Sequence, residues 1–243
     1  LSNKKNFKEI KVLNLKKNVG NQKAIATALR YLNKNEKNHD ENFIIMDSDG
    51  EDDPEKIKDI LRILKKNKKI GIITLNRTIR KESIFFSILY EIHLFITFLL
   101  TFNYIRFGNF SYINKKTLSK ISHKDDLWLA YSATISKFFK NRYFISAPRK
   151  KRISGKSKMS YLGLFKHAIS IHSVYKKNIF LSYLVYLFIL IFLSFNDLPR
   201  MTVTLLVLFF ISHFLILIFL NQRVVNGVTF DKCLNNIKSI KKL

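Results

Sequence analysis

The chain has 243 residues, and 43 Lys+Arg against 17 Asp+Glu give a formal net charge of +26, although 47% of the residues are hydrophobic. This apolar content excludes a disordered basic tail, and an ordinary soluble domain has no need of so much positive charge. The combination favours nucleic acid or an anionic membrane surface as the neighbour. Cys233, the single cysteine, excludes an intramolecular disulfide framework.

The N-terminal part of the chain alternates strand and helix patterns. Residues 9–15 are a short β-rich run, residues 22–32 are helical, and residues 42–46 are an apolar run typical of a buried parallel strand. A helix that begins at Pro54 and a second buried strand at 70–75 follow. This order predicts an α/β fold with a mostly parallel sheet, in which ligands bind at the carboxyl ends of the strands.

An acidic cluster directly follows the strand predicted at 42–46. Residues 47–53 read DSDGEDD, which is a local inversion of charge in a strongly basic chain. Two carboxylates at positions i and i+2, here Asp47 and Asp49, can converge on one hard divalent cation. Such a cation holds a diphosphate in enzymes that transfer groups from nucleotides. The alternative is a solvated loop whose carboxylates cap the next helix.

Basic residues provide candidate partners for a phosphate. Arg77 and Arg80 follow the strand at 70–75, where they can reach the same edge of the sheet. The segment 149–160 combines arginine and lysine with glycine and serine, which suits phosphate binding by side chains and backbone N–H groups. The alternative is a basic stretch beside the membrane that contacts only anionic lipid head groups.

Two long uncharged segments near the C-terminus predict a transmembrane hairpin. Residues 179–195 and 201–220 contain 17 and 20 residues without a charge, and a bilayer is spanned by about 20 apolar residues. Pro199 lies in the short polar turn between them. The alternative is a buried helical hairpin in a soluble core. Lysine and arginine are concentrated on the two outer flanks, so both ends of the hairpin are expected on the cytoplasmic side.

A third apolar stretch, residues 84–105, carries polar residues that recur near the helical period. This pattern predicts an amphipathic helix that lies in the membrane interface or packs on the domain. A single crossing here would place the acidic cluster and the basic segment 149–160 on opposite sides of the membrane. The interfacial interpretation is therefore preferred to a third span.

The order of these motifs resembles the family 2 glycosyltransferases, and most closely the polyprenyl-phosphate sugar transferases of the dolichol-phosphate mannose synthase type. The motifs are Asn18-Val-Gly20, MDSDGEDDPE at 46–55, Arg77 with Arg80, and Arg152-Ile-Ser-Gly-Lys-Ser-Lys158, followed by the hairpin. The family opens with an additional strand and an Asp-Asp-Gly-Ser motif that are missing here. The resemblance therefore implies a chain that lacks the beginning of the domain and is inactive on its own if those parts are required.

The resemblance implies a GT-A-type domain and a metal-dependent transfer of a sugar from a nucleotide-sugar donor to undecaprenyl or dolichyl phosphate, for cell-surface glycan or glycoprotein synthesis. It implies Mg²⁺ or Mn²⁺ at Asp47 and Asp49, with Glu51 as an additional acidic contact. The catalytic candidates that it implies are Asp125, Asp126 and Arg152. The donor- and phosphate-binding candidates are Asn18, Gly20, Arg77, Arg80, Arg149, Gly155, Lys156, Ser157 and Lys158.

The predicted organisation places the enzyme at the cytoplasmic (inner) membrane, with the lipid bilayer as a partner, no nucleic acid, and a hairpin that allows a homo-oligomer. Its parts are a partial nucleotide-sugar-binding domain (1–83), the interfacial helix (84–107), an acceptor- and phosphate-binding part (108–176), the transmembrane hairpin (177–221) and a basic cytoplasmic tail (222–243). Two other functions remain open. One is an enzyme of the same fold that uses a glycan or glycolipid acceptor, and the other is a non-catalytic basic module anchored to the membrane.

Overall fold

A computed structural model describes residues 9–35, 41–77, 84–148, 150, 152–153, 161–195, 199–219 and 223–242. The strands in these ranges are β1 (Lys11–Leu15), β2 (Asn42–Ile45), β3 (Ile72–Arg77), β4 (Phe107–Asn114), β5 (Tyr143–Ala147) and β6 (Ile237–Lys242). The helices are α1 (Asn21–Asn35), α2 (Lys56–Lys66), α3 (Ile84–Thr101), α4 (Lys115–Ile121), α5 (Asp126–Leu129), α6 (Tyr131–Phe138), α7 (Tyr161–Val174), α8 (Lys176–Ser194) and α9 (Arg200–Phe219).

Four strands form a mixed sheet in the order β2-β4-β3-β5. Strand β4 runs antiparallel to both β2 and β3, whereas β3 and β5 are parallel. The prediction of a mostly parallel sheet is wrong, because β4, which no sequence pattern predicted, returns from α3 and inserts between β2 and β3. Strands β2, β3 and β5 nevertheless point the same way. Their carboxyl ends therefore lie at one edge of the sheet, and β4 begins at that edge.

Most elements predicted in the first 80 residues are confirmed. The helices expected at 22–32 and after Pro54 are α1 and α2, and the strands expected at 42–46 and 70–75 are β2 and β3. The prediction that the first of these strands is buried is wrong. In the described sheet β2 is an edge strand, and Ile44 is 36% exposed. A short apolar run does not distinguish an edge strand from a central one.

The first predicted strand lies outside the four-stranded sheet. Strand β1 pairs antiparallel with β6, from the opposite end of the chain, and together they form a two-stranded sheet. The expectation that β1 continues the strand–helix alternation of one sheet is therefore wrong. The residues assigned to a basic tail form a 3₁₀ turn, Cys233–Asn236, followed by β6. The hydrophobic pattern of β1 shows that it is a strand, but it does not show which strand pairs with it.

The main hydrophobic core is formed around the short helices α5 and α6. Trp128 is 1% exposed and Tyr131 is fully buried. The ring of Phe230, from the segment between α9 and β6, packs against Trp128 with 6.1 Å between the ring centroids. The C-terminal segment therefore belongs to the same core as the central helices.

Helices α8 and α9 are each long and apolar enough to cross a membrane. Their large apolar side chains mostly face outward, as Phe188 (72% exposed) and Phe209 (60% exposed) illustrate, which is unusual for helices of a soluble core. Helix α3 packs along α8, where the Ser182 and Tyr186 hydroxyls donate hydrogen bonds to main-chain carbonyls near the end of α3. The apolar surface of the three helices is thus continuous.

A polar chain joins these helices where α3, α7 and α9 meet. The Thr97 hydroxyl lies 3.1 Å from Nε2 of His172, and Nδ1 of His172 lies 3.3 Å from Nε2 of His213. The Tyr183 hydroxyl contacts the other nitrogen of His213. Burial, together with His213 and His93, lowers the pKa of His172 to about 3. The His172 imidazole is therefore neutral at neutral pH.

We expect acidification to destabilise the fold through His172. Its pKa in the folded chain is below the ordinary value of 6.5, so the unfolded chain binds the proton more readily. The contribution of the neutral imidazole to the stability of the fold is then complete above pH 6.5, and it is lost as the pH falls towards 3. Between about pH 7.5 and about pH 5, the wild type should lose roughly 4–8 °C more in its unfolding midpoint than His172→Gln, measured in detergent. His123→Gln, at an exposed position, should behave as the wild type. Equal losses in the wild type and His172→Gln would contradict the prediction.

Candidate functional site

The acidic segment 47–53 leaves the carboxyl end of β2 and is held by its own side chains. The Asp52 carboxylate is buried and accepts the Asp47 N–H at 2.9 Å, and the Asp49 carboxylate accepts the Glu51 N–H at 3.1 Å. Asp52 therefore fixes the backbone at the position of Asp47. The sequence analysis assigned no function to Asp52. Its place in the acidic run was the only sign that it could contribute to the site.

The Asp47 carboxylate is oriented by amide side chains from two other elements. Asn109 in β4 donates to Asp47 Oδ1 at 3.0 Å, and Asn21 at the start of α1 donates to the same oxygen at 3.3 Å. Asn109 accepts in turn from Gln22 at 3.0 Å, and Gln22 accepts the Tyr131 N–H at 2.8 Å. Because Asn109 is 5% exposed, this network holds one oxygen of Asp47 in a defined position.

Sequence reasoning missed Asn21, Gln22 and Asn109. The signal for Asn21 and Gln22 was their place directly after the Asn18-Val-Gly20 motif. The signal for Asn109 was a polar residue near the start of an otherwise apolar run, FGNFSYI. Neither signal identifies the partner, because the two elements meet Asp47 only in the folded chain.

If Asp47 holds a divalent cation, as the family resemblance implies, we expect Asn109→Ala to weaken cation binding by roughly tenfold to a hundredfold, the usual loss for a residue that orients a metal ligand. Asp47 would keep the longer hydrogen bond from Asn21, at 3.3 Å, and lose the shorter one from Asn109, at 3.0 Å. Its carboxylate would therefore have to be ordered further when the cation binds. The measurement is a Mn²⁺ titration followed by the paramagnetic resonance of the free ion. Asn33→Ala is the matched control, because the Asn33 amide accepts a hydrogen bond from Ser119 rather than from a group of the acidic segment. Unchanged Mn²⁺ affinity in Asn109→Ala would rule out the orienting role.

Basic residues that follow β5 pair with the acidic segment. The Arg152 guanidinium lies 2.9 Å from Asp49 Oδ2 and 3.4 Å from Glu51 Oε1, and Lys150 Nζ lies 2.9 Å from Asp53 Oδ1. Lys150 is the main cause of a pKa for Asp53 below its ordinary value. Arg152, predicted as a phosphate-binding candidate, thus lies against the acidic segment, and so does Lys150, which the sequence analysis did not single out.

Backbone contacts reinforce these ion pairs. The Lys150 N–H donates to the Glu51 carbonyl at 2.9 Å, and the Ile153 N–H donates to the Asp49 carbonyl at 3.1 Å. Gly50 permits this close approach, because its φ is +84° and a Cβ there would collide with the Ile153 side chain. The described part of the basic segment therefore covers the acidic segment.

Arg77 reaches the same place from the end of β3, as predicted. It lines a small cavity together with Glu51, Asp52, Asp53, Leu75, Phe110, Ala147 and Pro148. Its guanidinium lies directly over Gly108 at the start of β4, where a Cβ would collide with it. A glycine at this position is therefore required for the observed placement of Arg77.

The remaining candidates divide into three groups. Asn18 and Gly20 form a turn before α1, in which the Gly20 N–H donates to Asn18 Oδ1 at 2.9 Å. Asp126 pairs with Lys137 at 2.7 Å and Asp125 with Arg223 at 3.9 Å, so both carboxylates form ion pairs away from the acidic segment. Arg80, Arg149, Gly155, Lys156, Ser157 and Lys158 lie outside the described residues.

The carboxylates are suited to a hard cation that binds together with a phosphate. Within the ranges that the structure describes, no three acidic, histidine or cysteine side chains converge on a metal position. Mg²⁺ commonly takes only one or two carboxylates from a protein and completes its shell with substrate phosphates and water. Asp47 and Asp49 fit that donor set. The contacts of Arg152 show that Asp49 and Glu51 already accept a positive group in this region.

Comparison with known proteins assigns the N-terminal half of the chain to a family. A sequence model of glycosyl transferase family 2 matches residues 2–135, which is more than half of the chain. The matched region includes the turn before α1, the acidic segment, Arg77 and Asn109. No protein of curated function matches the sequence.

Proposed function

Because the chain belongs to glycosyl transferase family 2, we propose that the site around the acidic segment binds a nucleotide-sugar donor and transfers its sugar to a polyprenyl phosphate. One observation carries this proposal. Carboxylates at the end of β2 and basic groups at the ends of β3 and β5 meet at one edge of the sheet. A nucleotide diphosphate with its metal ion is the ligand that needs both kinds of group at one place.

Asp47 and Asp49 would hold Mg²⁺ or Mn²⁺, with Glu51 as an additional ligand. The bound ion would neutralise charge on the diphosphate. Arg152 would exchange its contacts with Asp49 and Glu51 for the donor phosphates, because a guanidinium binds phosphate in the same bidentate way as carboxylate. Arg77, beside the cavity, would contact the same phosphates or that of the acceptor.

The reaction is a single displacement at the anomeric carbon of the sugar. An oxygen of the lipid phosphate forms the new bond to this carbon, while the bond to the donor diphosphate breaks and the nucleoside diphosphate leaves. The acceptor phosphate is already ionised at neutral pH, so no strong base is required. The protein then contributes by positioning the two reactants and stabilising the leaving group. Asp125 and Asp126 remain candidates for a base if the acceptor is a hydroxyl group.

The helices support a membrane-bound acceptor. Helices α8 and α9 have the length and composition of membrane spans. Strand β6, which follows α9, pairs with β1 of the domain, as expected if both ends of a hairpin return to the same, cytoplasmic side. Strands β3 and β4, which flank α3, pair with each other, which favours α3 as an interfacial helix. The active site would then lie at the level of lipid head groups at the cytoplasmic membrane.

The test uses the full-length protein in detergent with Mg²⁺ or Mn²⁺. A panel of nucleotide sugars is offered with undecaprenyl or dolichyl phosphate, and lipid-linked sugar is followed. The corresponding polyprenols, which lack the phosphate, are the acceptor control, and Asp49→Ala is the enzyme control. We expect metal-dependent product with the polyprenyl phosphates and none with the polyprenols. This product should be lost in Asp49→Ala. Donor binding that depends on Asp49 without this product would favour a glycan or glycolipid acceptor, and no donor binding would overturn the proposal.

A further inference from the structure

The segment that follows the second apolar helix is in direct contact with the turn before α1. Asn226 donates to the Asn18 carbonyl through its side-chain amide, and its own carbonyl accepts Lys17 Nζ at 3.0 Å. These contacts join residues about two hundred positions apart, at the motif to which the family resemblance assigns donor binding. They fix the position of the C-terminal segment relative to this turn.

Asn236 holds the residues that lead into the turn. Its side-chain oxygen accepts the Lys17 N–H at 3.1 Å, and its side-chain nitrogen donates to the Lys17 carbonyl at 3.2 Å. Its own carbonyl accepts the Lys16 N–H at 2.7 Å. The Asn236 amide thus extends the β1–β6 ladder by one step towards Asn18. Asn236 is 4% exposed. Replacing it by a residue without an amide would remove both side-chain hydrogen bonds to the Lys17 backbone.

The C-terminal segment is anchored firmly enough to act as a support. Phe230 is 6% exposed, and Arg30 of α1 lies over its ring at 4.4 Å from the centroid. Cys233 is fully buried in the same core, and the Phe230 ring also packs on Trp128. The segment between α9 and β6 is therefore packed against α1 and α5, and the contacts of Asn236 start from a fixed position.

The turn is also connected to the acidic segment. Asn21, the first residue of α1 and the next residue after the turn, donates to Asp47 Oδ1 at 3.3 Å. A shift of the turn would therefore move a group that orients Asp47. This connection links the C-terminal segment, through the turn, to the candidate metal and donor site.

We infer that residues 223–242 are a positioning element of the donor site, in which Asn236 and Asn226 hold the Asn18–Gly20 turn in the conformation that binds the nucleotide diphosphate. This inference rests on the proposed function. It assigns the residues that were predicted to be a basic cytoplasmic tail a role in the domain itself. It also couples the end of the membrane hairpin to the donor site, since the same short segment connects α9 with the turn.

The first readout is hydrogen–deuterium exchange of the unliganded full-length protein in detergent, compared between the wild type and Asn236→Ala. Amides in the peptide that covers residues 16–20 should exchange faster in the variant, because the Lys17 N–H has lost its acceptor. Asn235→Ala is the matched control. Asn235 is the neighbouring residue in the same 3₁₀ turn, and it is exposed. Asn236→Asp keeps an oxygen that can accept from Lys17 and should give an intermediate rate.

The second readout is the affinity for UDP and GDP in the presence of Mn²⁺. In Asn236→Ala the nucleotide that the wild type binds should bind about tenfold more weakly, with Asn235→Ala unchanged. The unfolding midpoint of each variant is measured alongside, so that a lower affinity of the folded protein is separated from a loss of folded protein.

The outcomes separate the inference from the proposed function. Unchanged exchange at residues 16–20 in Asn236→Ala would overturn the inferred clamp. Faster exchange with unchanged nucleotide affinity would overturn its role in the donor site. If the wild type bound neither nucleotide nor any nucleotide sugar of the panel, the proposed function would fail. Faster exchange in Asn236→Ala would even then establish that the C-terminal segment holds the turn.

Discussion

Turnover should fall by at least about a hundredfold when Asp49 is replaced by Asn, a loss of the size seen when one group that stabilises a developing charge is removed. The substitution keeps the shape of the side chain and the oxygen that accepts the Glu51 N–H. It removes the negative charge that now faces Arg152 at 2.9 Å. The fold should therefore persist while the attraction for a divalent cation is lost. The measurement is sugar transfer as a function of Mn²⁺ concentration.

The matched control for Asp49→Asn is Glu55→Gln. Glu55 lies close by in sequence, and its carboxylate is exposed and pairs with Lys58 at the start of α2. An exposed pair of this kind contributes little to stability, and it lies outside the acidic segment. The control should retain nearly full turnover and an unchanged requirement for Mn²⁺. If the two variants had the same turnover, the carboxylate of Asp49 would have no role in the reaction.

Replacing Arg152 by Ala should have two opposite effects. The guanidinium pairs with Asp49 and Glu51, so its removal should strengthen Mn²⁺ binding by about threefold, the order expected of a partly exposed ion pair. Turnover at saturating Mn²⁺ should nevertheless fall about a hundredfold, because the group that would stabilise the leaving diphosphate is gone. Metal affinity and turnover are measured separately on the same preparation.

The control for Arg152→Ala is Arg62→Ala, in which an exposed arginine that pairs with Asp59 on α2 is removed. Neither metal affinity nor turnover should change in this variant. Arg152→Lys keeps the charge without the planar fork, so it should restore the competition with Mn²⁺ better than it restores turnover. Weaker Mn²⁺ binding in Arg152→Ala would show that the guanidinium supports the metal site rather than competing for it.

The parts of the site that lie on one short piece of chain were predictable. Asp47 and Asp49 follow an apolar strand directly, and the change from apolar to acidic residues is visible without any partner. Arg77 was predictable for the same reason, because it ends a recognisable strand. Asn109 and Asn236 were not predictable, since an asparagine by itself carries no pattern and each acquires its role from a backbone or carboxylate group of a distant element.

Helices α1, α2, α8 and α9, strands β1, β2 and β3, and the acidic segment are predictable from sequence alone, because each depends on hydrophobic periodicity or charge within a few consecutive residues. Three features became visible only in the folded chain: the position of β4 between β2 and β3, the pairing of β1 with β6, and the contacts of Arg152 with Asp49 and Glu51. The physical reason is common to these three features. A strand presents the same backbone groups to any neighbour, and a charge attracts any opposite charge. The choice of partner therefore depends on which distant segments the whole chain brings together when its core is packed.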